Sequence, residues 1–286
     1  MTSKTKSESI TSTVAKTDDG TVQITFTINY SDIKKAQEET IAEYAKTMTV
    51  PGFRPGKAPL EKVAEKISQS ELIEHSLGHI LPKALANVIN EQKLKIAIYP
   101  KFELLSAEKD KVWQIRATTC VFPEVNLGDY KKTIGRGVSK EEKPKELSRE
   151  EKEQQVIKML LDTVNVKIPT ILIEEEVNHR LSSLIERTEK LGLSLESYLS
   201  SLGKKPETLR EEYKKQASTS LALDFILNKI ADENGIKITE KDIAEAIKAS
   251  SADPKVVENL SSPEQRRLIE SILRRRSALD SLVALL

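Results

Sequence analysis

Cysteine is close to absent. Cys120 is the only one in 286 residues, so no intramolecular disulfide can form, as suits a reducing compartment. Long apolar runs are missing too. The first ten residues, MTSKTKSESI, hold no apolar core of signal-peptide length, and no later run approaches a membrane span. The expected location is therefore cytoplasmic, with no membrane partner. Aromatic residues make up only 4% of the chain and charged residues 31%, which argues against a ring-lined pocket and for long surface helices rich in Glu and Lys. An excess of either charge is also lacking. The 45 basic and 44 acidic residues divide evenly, 17 of each up to residue 130 and 28 against 27 beyond it. Proteins that bind nucleic acid through phosphates carry a basic excess or stripe, so sequence-specific nucleic acid is not an expected partner. Only short clusters such as Arg274, Arg275 and Arg276 offer a local basic contact.

What is present divides into two halves. Val22, Ile24, Phe26, Ile28 and Tyr30 alternate with polar residues, the pattern of a half-buried strand. Val112 to Val121 alternates in the same way. Leu94 to Leu105 reads as its partner through a turn at residues 107 to 110, with Pro100 marking a bend or an edge. Helical spacing covers Ser31 to Met48, capped by Ser31 or Asp32, and Ser70 to Glu91, where Pro82 is expected to kink the helix or start a new segment. Residues 1–130 therefore read as an α+β domain with an antiparallel sheet. Residues 131–147 (KKTIGRGVSKEEKPKEL) are charged and hold Gly and Pro, with little to bury, and read as a linker. Residues 148–286 read as all-α. Pro169 begins one helix, Gly235 stops another, and Thr239 to Asp242 and Ser262 to Gln265 resemble capping boxes. On the last helix, Leu268, Ile272, Leu279 and Val283 form a stripe expected to lie in the core.

The segment VPGFRPGKAP, Val50 to Pro59, stands apart from both patterns. Gly52 and Gly56 admit positive φ, while Pro51, Pro55 and Pro59 fix φ and remove donors, so the segment is a stiffened loop between two helices. Phe53 and Arg54 at its centre combine apolar area with planar hydrogen bonding, a contact pair. The residues alone equally allow a structural turn with Phe53 folded back on its helices. A phosphate loop is excluded. Only three residues separate Gly52 from Gly56-Lys57, Ala58 stands where a hydroxyl is needed, and no strand leads in.

This loop resembles the signature loop of the trigger factor family, ribosome-associated bacterial chaperones. Gly52, Phe53, Arg54, Gly56, Lys57 and Pro59 match Gly-Phe-Arg-x-Gly-Lys-x-Pro position for position. Pro55 stands where the family usually has a basic residue, so one cation is missing. Looser likeness continues through Val121 to Tyr130, Lys167 to Val177, Gly192 to Leu199 and Glu233 to Thr239. The resemblance implies an elongated molecule. A ribosome-binding domain would occupy residues 1–130, and a helical substrate-holding domain residues 148–286. It implies docking on a large-subunit protein at the tunnel exit through those six residues, with nascent or unfolded polypeptides as clients and no cofactor. Family members carry an FKBP-type prolyl isomerase domain between these halves. Here 17 residues separate Tyr130 from Ser148, too few for a domain, so no enzyme activity is expected. The alternative is a free cytosolic holdase, forming a homodimer, with weak or no docking.

Other constellations carry less. His75 and His79 share a helix face but lack a third ligand, so no metal site is expected. Cys120 sits in a strand pattern with no activating base and reads as a core residue. Glu174 to Glu176 lie among Lys and Arg and read as a solvated helix face.

Overall fold

A computed structural model of the chain describes residues 5–7, 10–54, 56–137, 148–251 and 254–286. The alternation around Phe26 forms strand β3 (Thr21–Ile28), and that around Ile115 forms β5 (Trp113–Cys120). They pair antiparallel with Phe26 opposite Ile115 and Ile24 opposite Ala117, so the apolar faces coincide. β1 (Thr5–Ser7), β2 (Ile10–Lys16) and β4 (Lys101–Ser106) complete a five-stranded antiparallel sheet of order β1-β2-β3-β5-β4. Helix α1 (Tyr30–Thr47) follows β3, and α2 (Leu60–Ala64) and α3 (Gln69–Gln92) precede β4. Val22, Ile24, Phe26 and Ile28 are fully buried with Ile33 of α1 and Leu81, Leu85 and Val88 of α3. Each such side chain contributes about 1.5–3 kcal/mol by leaving water.

Several details differ from the sequence reading. Tyr30 opens α1 instead of ending the strand, and the capping position falls on Asn29, whose side chain makes no cap bond. Ser31 and Asp32 lie within the first turn, so neither caps. Of Leu94 to Leu105 only the second half is strand. Ile96 forms a lone bridge with Val121, and β4 starts directly after Pro100, at the edge of the sheet. The turn beyond β4 places Asp110 at φ 59°. α3 runs through Pro82 without interruption. Proline costs this helix one hydrogen bond, and the apolar face that buries Leu77, Leu81, Leu85 and Val88 outweighs that loss. Cys120 is buried, and burial pushes its thiol up to about 11.

The chain divides into two compact units, Met1–Phe122 and Pro123–Leu286. The division falls earlier than residue 130, and residues 123–137 belong to the second unit. There α4 (Tyr130–Gly137) is helical, and it buries Tyr130 and Ile134 with Leu127 against the helical core. The linker reading of 131–147 is thus corrected for 131–137, where Ile134 is the apolar residue with something to cover. Residues 138–147 lie outside the described residues.

The rest of this unit is helical, as the pattern indicates: α5 (Arg149–Thr163), α6 (Thr170–Lys190), α7 (Leu195–Ser201), α8 (Pro206–Glu233), α9 (Glu240–Ser250), α10 (Pro254–Leu260) and α11 (Pro263–Val283). Val156 and Leu160 of α5, Ile226 and Ile230 of α8, and Leu279 and Leu282 of α11 form its core. A satellite cluster of Leu184, Leu199 and Leu209 joins α6, α7 and α8. Pro169 takes the N-cap of α6, and Thr239 with Asp242 forms a complete capping box. Ser262 accepts from the Gln265 N–H, the first half of such a box. The α11 stripe splits. Leu279 is buried and Val283 half-buried, while Leu268 and Ile272 are 51% and 48% exposed, because the core lies against only the second half of the helix.

Candidate functional site

Two tight turns build the loop between α1 and α2. The Phe53 N–H donates to the Val50 carbonyl at 3.1 Å, with Pro51 second and Gly52 third at φ 86°. The Lys57 N–H donates to the Arg54 carbonyl at 3.0 Å, with Gly56 third at φ 77°. Proline second and a positive-φ glycine third is the favoured chemistry of such turns. A Cβ on Gly56 would meet the Lys46 carbonyl at 3.5 Å, so this turn backs onto the end of α1. Phe53 and Arg54 are held between the two turns. Pro55 lies outside the described residues.

The loop is anchored on both sides. Val50 is buried with Val63 and Ile67, and Ala58, Ile41, Tyr44 and Met48 pack on them. Tyr44 Oη donates to Glu71 Oε1 at 2.8 Å, joining α1 to α3 beneath the loop, and the His75 ring meets Tyr44 edge-on. Pro59 takes the N-cap of α2. With the anchors buried, Gly52, Phe53, Arg54, Gly56, Lys57 and Pro59 are all exposed, and so are Pro51 and Leu60. Phe53 is 42% exposed, which favours the contact tip over the folded-back turn. Among the described residues, neither Arg54 nor Lys57 has an ion-pair partner.

Such a tip can bind, through the Phe53 ring and the cations of Arg54 and Lys57. The other candidates are accounted for structurally. His79 Nε2 lies 3.3 Å from Glu43, and no group of three His, Cys, Asp or Glu among the described residues is arranged to hold a metal. The cluster Arg274, Arg275, Arg276 is spent within the fold: Arg274 pairs with Asp232 at 2.6 Å, Arg275 with Asp224 at 3.1 Å, and Arg276 with Glu153. No helix among the described residues is long and apolar enough to cross a membrane.

A second feature escaped the sequence reading. Leu191, Leu193 and Leu202 are exposed at the ends of α6 and α7, Leu191 at 76%, and Leu268 and Ile272 are exposed on α11. The signal was available: Leu191 and Leu193 flank Gly192, and Leu202 precedes Gly203, so these leucines occupy turns and not helix faces.

The class is thus an α+β unit with a stiff, cationic-aromatic loop, followed by a helical unit with scattered exposed leucines. Residues 10–160 match the family described as "Bacterial trigger factor protein (TF)", and residues 128–284 match "Bacterial trigger factor protein (TF) C-terminus". The chain belongs to the trigger factor family. It is similar to the trigger factor of Streptococcus mutans, 39% identical over 108 residues, spanning 38% of this chain and 25% of that protein. A Streptococcus pyogenes trigger factor is 36% identical over 111 residues, 39% of this chain and 26% of its own length. The chain thus spans about a quarter of the length of the curated relatives it matches. A solved structure titled "Promiscuous Substrate Recognition in Folding and Assembly Activities of the Trigger Factor Chaperone" shares the fold. Its TM-score is 0.64 at 14% identity, covering 95% of this chain and 99% of that one.

Proposed function

We propose that this chain is an ATP-independent chaperone that docks at the ribosomal tunnel exit and shields nascent polypeptides in the bacterial cytoplasm. The observation that carries the reading is the Phe53–Arg54 pair, exposed between two turns whose flanks are buried. Preorganisation of this kind lowers the ordering cost of a contact. Gly52, Phe53, Arg54, Gly56, Lys57 and Pro59 form the docking element, and its partner is a protein of the large subunit. The first unit docks and the helical unit holds clients, through weak contacts at leucines such as Leu191, Leu202 and Leu268. Many weak apolar contacts suit clients without a common sequence, and folding of the client ends the contact without nucleotide.

No catalysis belongs to this reading. The two family matches overlap over residues 128–160, which supports a direct junction between docking and holding parts. A prolyl-peptide isomerisation assay should return background rates; turnover that follows the protein through purification overturns this. The docking reading is tested by co-sedimentation with bacterial ribosomes. Wild type should pellet and the Phe53→Ala, Arg54→Ala double variant should stay in the supernatant. Equal pelleting of both removes the loop from the function. Failure of wild type to pellet leaves the free, dimeric holdase.

A further inference from the structure

Helical spacing puts Leu60 and Val63 on one stripe of α2, and Ile67 follows just beyond the end of that helix at Ala64. Val63 and Ile67 are buried beneath the docking loop, yet Leu60 on the same stripe is 52% exposed. The apolar stripe therefore runs out of the core and surfaces where the loop rejoins α2. A single exposed leucine is ordinary. Two observations set this one apart. Leu60 directly follows Pro59, the N-cap of α2 at φ −58°, so its backbone is fixed with respect to the loop it closes. Its charge setting is also one-sided toward the loop, with Glu61 the first carboxylate after it. Residues 46–60 contain Lys46, Arg54 and Lys57 and no carboxylate, in a protein of 45 basic and 44 acidic residues. Among the described residues, none of these three cations is in an ion pair.

We infer that Leu60 is a docking residue in its own right, the second apolar anchor beside Phe53. The surface it meets is protein, with an apolar recess for Leu60 and carboxylates placed for the surrounding cations. The inference rests on the docking reading above and deepens it. The alternative source of negative charge is ribosomal RNA. A phosphate backbone would satisfy the cations equally well, but it offers no recess for an aliphatic side chain, and Leu60 would then be indifferent. Protein interfaces, in contrast, take much of their strength from a few apolar anchors ringed by polar contacts.

The test titrates the full chain against bacterial ribosomes in a pelleting assay at low and physiological salt. Circular dichroism and melting temperature check each variant. Leu60→Ala should bind about fivefold more weakly, the loss of one modest anchor. Leu60→Met, which keeps the apolar volume, should stay within about twofold of wild type. Leu60→Glu should lose more than about tenfold, because it adds an anion among the cations that face an acidic partner. If all three bind as wild type while the Phe53→Ala, Arg54→Ala variant fails to pellet, docking stands and the role of Leu60 is overturned. Silent Leu60 variants with steep salt dependence assign the contact to phosphate and overturn it likewise. Equal losses for Leu60→Met and Leu60→Ala overturn it as well, since apolar volume would not matter. If the double variant pellets like wild type, the docking reading itself fails and this inference falls with it.

Discussion

The two units reach stability by different routes. In Met1–Phe122 one sheet face is sealed by α1 and α3, and Val22, Ile24, Phe26 and Ile28 have no solvent contact. In Pro123–Leu286 the core is gathered around α4, α5 and the facing ends of α8 and α11, a second apolar cluster joins α6, α7 and α8, and charge pairs link the helices alongside them. Arg266 pairs with Glu240, Arg274 with Asp232, Arg275 with Asp224 and Arg210 with Glu174, each tying one helix to another. Exposed pairs of this kind are individually weak, typically below about 1 kcal/mol. They align helices without requiring that every leucine be buried. Exposed apolar side chains occur on both units, Tyr99 and Val112 beside Phe53 and Leu60 on the first, and Leu191, Leu202 and Leu268 on the second; what sets the loop apart is the pair of turns that stiffens it.

The contrast can be broken at several places. Phe26→Ala should cost roughly 3–5 kcal/mol, read by urea unfolding, because a sealed sheet core cannot collapse onto the cavity. A cost near that of a surface change would contradict the sealed-core description. Ile134→Ala should cost about 2–5 kcal/mol in the helical unit, since Ile134 is buried with Leu160 and Ile230. If the loss appears instead in unfolding of the first unit, the assignment of residues 123–137 is wrong.

Smaller effects sharpen it. Tyr44→Phe removes the bond to Glu71 beneath the loop and should cost about 1 kcal/mol, with a matching rise in amide exchange at the loop flanks. Thr239 holds the Asp242 carboxyl below its usual range, first through its side chain and then its backbone N–H. The folded value is thus below the unfolded one. The capping contribution is present above the ordinary aspartate range and lost as pH falls below about 4. Wild type should therefore exceed Asp242→Ala in melting temperature at neutral pH, with the gap closing on acidification. A gap that widens there contradicts the cap. Smallest of all, Leu191→Ser and Leu268→Ser should shift stability within about 0.5 kcal/mol, as exposed positions do.

How much of this was legible depends on what each residue meets. β3 and β5 were readable because both faces of their alternation are honest: Phe26 and Ile115 are buried and Thr25 and Gln114 are not. β2 was not, because Ser12 sits at its buried position between Ile10 and Val14 and breaks the apolar rhythm. The loop was readable because Gly52 and Gly56 require φ values that their residue type announces. Its second apolar anchor was hidden, since Leu60 obeys the spacing of Val63 and only packing shows that the core stops short of it. Leu268 and Ile272 misled for the same reason. Periodicity says which face is apolar; it does not say where the partner helix ends.

The central claim is that docking and holding reside on separate units. It is tested most directly by measuring ribosome pelleting and suppression of aggregation of a denatured reporter on the same two variants. Phe53→Ala with Arg54→Ala should abolish pelleting and leave suppression at the wild-type level. Leu191→Ser, Leu202→Ser and Leu268→Ser together should weaken suppression several-fold, on the order of 1 kcal/mol, and leave pelleting intact. Parallel loss of both activities in either variant would contradict the division.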